Sequence, residues 1–126
     1  MITRSAAAVA FAMPGGEGSE APRSRARPVD LAHLSRQTLG DRALEQEVLQ
    51  LFVQQALAAR DQIAEAGKRE RLQLAHTLKG SARGVGAFAL ADCVAEIEKQ
   101  PDDVKLIKKL STLIDEVRDF IAAICR

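Results

Sequence analysis

His76 and Lys79 stand three residues apart in the stretch Ala75-His76-Thr77-Leu78-Lys79-Gly80-Ser81-Ala82, the part of this 126-residue chain whose side chains could do chemistry together. An imidazole with a pKa near 6.5 is roughly nine-tenths unprotonated at pH 7.5 and is then a competent nucleophile. Attack on phosphorus would give a phosphoramidate, whose added negative charge calls for a cation. Lys79, one turn further on, can supply a flexible point charge. A carboxylate or carbonyl on the second ring nitrogen would fix the tautomer and support the positive charge that develops during attack. Glu98 is the candidate for that place.

Helical geometry decides which neighbours share the imidazole's face. At about 100° per residue, Leu78 lies about 160° from His76, whereas Lys79 and Gly80 fall on its own side. If Leu78 is core, His76 faces water, and Leu72 and Arg83 extend its stripe. Gly80 in mid-helix costs about 1 kcal/mol relative to Ala, and its bareness leaves a clear approach for something large to dock. Plainer readings compete. Arg83 could be a solvated basic face, Ser81 could bond back to the Thr77 carbonyl, Glu98 could pair with a surface lysine, and Cys93 could simply pack. His33 reads as structural or as a surface histidine.

Other chemistries find no support. The chain has no glycine-rich nucleotide loop, no Walker motif and no Asp/Asn cluster for magnesium, so it is expected not to bind ATP or start phosphorylation itself. Cys93 and Cys125 are isolated thiols, and with His33 and His76 they give no zinc ligand set. Both are read as reduced, which fits a cytoplasmic location. A formal charge of +1 gives no electrostatic reason for a nucleic-acid or acidic-membrane partner. No run reaches the roughly 18 apolar residues that a membrane span needs.

The elements that must position these residues read as helices throughout. Aromatics make up 3% of the chain, with no Trp or Tyr, and helix-favouring residues dominate from position 30 onward. Residues 1–29 hold Pro14, Gly15, Gly16, Gly18, Pro22 and Pro28 and the basic string Arg23, Arg25 and Arg27. They are expected to form a flexible tail, the weakly apolar run near Ala12 and Met13 lacking the Leu density of a secretory core. Asp30 is expected to cap a short helix to Thr38 that turns Leu31, Leu34 and Leu39 inward, and Gly40 with Asp41 to break it and cap the next.

A second helix, from Arg42 to about Ala66, carries Leu44, Val48, Leu51, Phe52, Ala59 and Ile63 at three- and four-residue steps. A third runs from about Arg69 to Arg83, ended by Gly84 and Gly86, with Leu74, Ala75, Leu78, Ala82 and Val85 inward. A fourth spans about Ala87 to Lys99. After the turn at Pro101 and Asp102, a fifth buries a stripe from Val104 to Ile124. Short links make such helices antiparallel neighbours. The predicted domain, residues 30–126, is therefore an all-α, antiparallel up-and-down four-helix bundle with a short extra N-terminal helix.

The residues resemble those of the histidine-containing phosphotransfer (HPt) domains of bacterial phosphorelays. The likeness lies in His76-Thr77-Leu78-Lys79-Gly80-Ser81, then Gly86-Ala87, Leu90-Ala91 and Ile97-Glu98, and it covers about residues 30–126. The resemblance implies that His76 is phosphorylated on a ring nitrogen by a receiver-domain aspartyl phosphate or a sensor histidine kinase, and that the transfer is reversible. Lys79 would then steady the phosphoryl group, Gly80 would permit close approach, and Glu98 would orient the histidine. Magnesium would belong to the partner receiver, with no cofactor in this chain and a monomer as the default state. A scaffold that binds a receiver or kinase without being phosphorylated, and a bundle domain from a larger chemotaxis-type kinase, stand as alternatives. The intact His76 and Lys79 argue against the first.

Overall fold

The computed structural model describes residues 27–125, and the regular structure among them is all helical. Five helices follow one another: α1 (Leu31–Thr38), α2 (Arg42–Glu65), α3 (Lys68–Val85), α4 (Phe88–Lys99) and α5 (Val104–Ile124). The last four close a ring in which α2 packs on α3, α3 on α4, α4 on α5 and α5 back on α2, while α1 lies against α2 and α3. Their links, residues 66–67, 86–87 and 100–103, are too short to cross a bundle, so successive helices run antiparallel. The fold is the expected bundle with its short N-terminal helix.

Aspartates start three of the helices. Asp30 Oδ1 accepts from the His33 amide at 3.1 Å, Asp41 Oδ1 from Leu44 at 3.0 Å, and Asp103 Oδ1 from Lys105 at 2.9 Å. Each satisfies an amide that the first turn leaves without a helical partner. The end of α3 is set by Gly86 alone. Gly84, expected to help end the helix, is helical, and α3 runs on to Val85. Gly86 adopts φ +95°, and the amides of Gly86 and Ala87 both return to the Ala82 carbonyl. A Cβ there would also meet the Asp30 carbonyl oxygen at 2.8 Å, because the Asp30 amide docks on the Gly86 carbonyl at 2.9 Å. The turn that ends α3 is thus the seat of α1.

At the opposite end Arg71 ties two links together. Its Nε donates to the Ile63 carbonyl at 2.8 Å, one terminal nitrogen to Ala66 at 3.0 Å, and the other to Pro101 at 2.6 Å. One side chain therefore satisfies carbonyls at the C-terminus of α2 and in the α4–α5 link, with 13% of its surface exposed.

Several inward positions differ from expectation. Leu39 is 93% exposed, because it caps α1 in the left-handed region at φ 55° and the chain turns its side chain outward. On α2, Leu49 and Ala56 are buried, whereas Leu44 and Leu51 are half-buried: 24 residues at 3.6 per turn swing the core stripe away from a fixed three-four count. Val104 and Ile124, at the two tips of α5, are exposed because no helix extends far enough to cover them. Val29, assigned to the tail, is fully buried in the core. The rest of that expectation, residues 1–26, lies outside the described residues. His33 is buried against Phe88 with ring centroids 5.0 Å apart, which makes it a packing residue.

Candidate functional site

α3 sits between α2 and α4 and buries Ala75, Leu78, Ala82 and Val85 against them. Spacings of three, four and three place these on one side of a helix, with Ser81 buried beside them, so that His76, Thr77 and Arg83 face outward. His76 lies on that outer side with 75% of its side chain exposed. Leu72 and Gly80, one turn to either side, are half-buried, and Arg83 is exposed. The sequence-predicted stripe is therefore one continuous face of α3.

Glu98, the penultimate residue of α4, reaches this face from the side. Its Oε2 lies 3.1 Å from His76 Nδ1, and its Oε1 forms an ion pair with Lys79 Nζ. Glu98 on α4 thus touches both His76 and Lys79 on α3, the three residues expected at one site. Lys79 and Glu98 are 19% and 21% exposed, so this pair is sheltered while the ring beside it stands in water. Lys79 had been expected to be available to a phosphoryl group; in the structure it is already engaged, by the carboxylate that holds the histidine.

Burial pushes the Glu98 carboxyl up, but the hydrogen bonds and charges of Lys79 and His76 outweigh it and hold the group below its ordinary value. Glu98 is therefore ionised at neutral pH and can only accept hydrogen bonds. The ring nitrogen facing it must carry the proton. Nδ1–H donates to Glu98, and the lone pair of neutral imidazole is left on Nε2, directed away from the carboxylate. In chemical terms this is a nucleophilic nitrogen whose tautomer is fixed by a carboxylate behind it.

On the flank of His76 away from Glu98, a shallow groove runs between α2 and α3, lined by Gln55, Ala59, Gln62, Gln73 and Thr77. Sequence reasoning placed docking residues on α3 alone and did not find the α2 side of this groove, since Gln55 and Gln62 look like ordinary solvated positions until the helices are packed. Among the described residues no group of three His, Cys, Asp or Glu side chains could hold a metal ion, and no helix is long and apolar enough to cross a membrane.

Comparison with protein families matches the Hpt domain to residues 47–120, from the second turn of α2 through most of α5, which spans more than half of the chain and contains His76, Lys79 and Glu98. Comparisons with curated proteins and with solved structures gave no match. With this match over a helical bundle, the chain belongs to the Hpt domain family, whose members act in phosphorelays as histidine phosphotransfer carriers, without a kinase catalytic domain of their own.

Proposed function

We propose that this chain accepts a phosphoryl group on Nε2 of His76 and relays it to or from an aspartate of a response-regulator receiver domain, with a sensor histidine kinase upstream. The observation that carries the reading is the exposed imidazole whose Nδ1–H is held by Glu98, which leaves Nε2 as the nucleophile. On acceptance, the Nε2 lone pair forms the N–P bond and the O–P bond of the aspartyl phosphate breaks, its electron pair returning to the carboxylate. The positive charge that develops on the ring is balanced by Glu98 across the Nδ1 proton. Lys79 stands beside the same carboxylate and supplies a cation for the incoming charge.

Leu72, Gly80 and Arg83 form the surface on which the receiver sits, and the α2–α3 groove beside Thr77 extends it. Magnesium and much of the catalysis belong to the partner, since His76 is presented rather than enclosed. The protein works as a cytoplasmic monomer in this reading. It is tested by incubating the full chain with a phosphorylated receiver and following acid-labile, base-stable phosphate by phosphorus NMR. Wild type acquires an Nε2-phosphohistidine signal and His76→Gln acquires none. Label that persists in His76→Gln, or that resides on Nδ1, overturns the assignment.

A further inference from the structure

Glu98 does more than hold a ring in place, because a carboxylate and an amide at that position have different consequences once the ring is phosphorylated. An ionised carboxylate accepts only, whereas the amide of a glutamine can donate as well. When Nε2 bonds to phosphorus with Nδ1 still protonated, the product is an imidazolium phosphoramidate. Discharge from that form expels a neutral imidazole. If Nδ1 loses its proton first, discharge must expel an anionic nitrogen and is correspondingly slow. A carboxylate 3.1 Å from Nδ1 favours the protonated form and disfavours the other. An amide tolerates both.

We propose that Glu98 is a positioning residue that keeps phosphorylated His76 protonated on Nδ1, so that the carrier holds its phosphoryl group ready for discharge rather than in store. This rests on His76 being the accepting residue. In the step concerned, the Nε2–P bond breaks and its electron pair returns to Nε2 while a carboxylate oxygen of the receiver aspartate forms the new O–P bond. The Nδ1 proton stays facing Glu98, and the ring returns to the tautomer from which it began.

The second part of the device is Lys79. Its ion pair with Oε1 keeps Glu98 a carboxylate and fixes the direction of Oε2, so the acceptor at Nδ1 persists through the cycle. The charged and titratable groups acting on Glu98 are Lys79 and His76, both from α3, and α5 on the other side of α4 contributes none among the described residues.

The test uses phosphoramidate, which transfers its phosphoryl group to imidazole with release of ammonia and needs no partner protein. The full chain is labelled, the donor is removed, and phosphate loss is followed from neutral to alkaline pH for wild type and Glu98→Gln. The variant is expected to label more slowly, since Glu98 also supports acceptance, and is brought to the loading of wild type by longer incubation. Once loaded it should lose phosphate roughly three- to tenfold more slowly at neutral pH, as befits one charge-assisted hydrogen bond exchanged for a neutral one, and show its fall in discharge rate at lower pH than wild type. A purely structural role would leave the pH profile in place. Equal or faster loss in Glu98→Gln overturns the proposal, as does failure of that variant to label. Failure of wild type to label at all, or label away from His76, overturns the carrier reading itself.

Discussion

At the scale of single residues, the nucleophile, its tautomer and its access are set by different side chains. His76 contributes ordinary imidazole chemistry, Glu98 fixes which nitrogen reacts, and Lys79 keeps Glu98 charged and aimed. Access falls to Gly80, which shares the outer face of α3 with the ring. Replacing it with glutamine should help the helix by about 0.5–1 kcal/mol through propensity, yet the longer side chain stands where a partner must approach. Gly80→Gln is expected to keep its circular dichroism while phosphotransfer from a receiver falls by about a hundredfold, the size of effect that a misplacement of about 1 Å produces. A large loss of helix would instead assign Gly80 to packing. His76, Lys79 and Gly80 were legible in the sequence because their spacing of three and four puts them on one face of a single helix. The partnership of Glu98 with both His76 and Lys79 was legible only as a candidate, since it depends on how α4 is rotated against α3.

At the scale of elements, the helix starts were readable and some of the stops were not. Asp30 and Asp41 cap the helices that the sequence assigns to them, because a carboxylate one residue before a helix acts locally. Arg71 gave no such signal. Its partners, the Ile63, Ala66 and Pro101 carbonyls, belong to links that meet only after α2, α3 and α4 have packed. Removing the guanidinium leaves several sheltered carbonyls without a donor, and a hydrogen bond from a charged group is worth about 1.5–3 kcal/mol net. Arg71→Met, which keeps most of the aliphatic stem, should therefore lower stability by about 2–3 kcal/mol in urea denaturation. It should leave transfer by the folded protein nearly unchanged, because Arg71 lies about 140° around α3 from His76 and its side chain is directed to the links rather than to the outer face. A loss below about 0.5 kcal/mol would mean that water replaces the clamp.

At the scale of the whole molecule, two titratable groups tie stability to pH in the same direction. Burial lowers the His33 imidazole below its ordinary value of 6.5, with Arg36 adding to the effect and the Gly84 carbonyl and Asp30 opposing it. The unfolded chain therefore binds this proton more readily than the folded one, and stability declines as pH falls through 6.5 towards the lower folded value. Glu98 is held below its ordinary value of 4.5, so its contribution is present above 4.5 and is lost as pH falls through the folded value beneath it. Urea midpoints should fall from pH 7 to pH 5 in wild type, and His33→Leu should flatten that part of the curve; an unchanged slope would show that His33 is not the group responsible. What the sequence determined by itself was whatever depends on local spacing: five helices, the caps at Asp30 and Asp41, an outward His76 and a family pattern. Tertiary structure alone decided the rest: the burial of Val29 and His33, the outward turn of Leu39, the Arg71 clamp, the α2 side of the groove and the capture of Lys79 by Glu98. The reason is physical. A spacing of three or four residues fixes one helix face, but the angle at which two faces meet comes from packing the whole core.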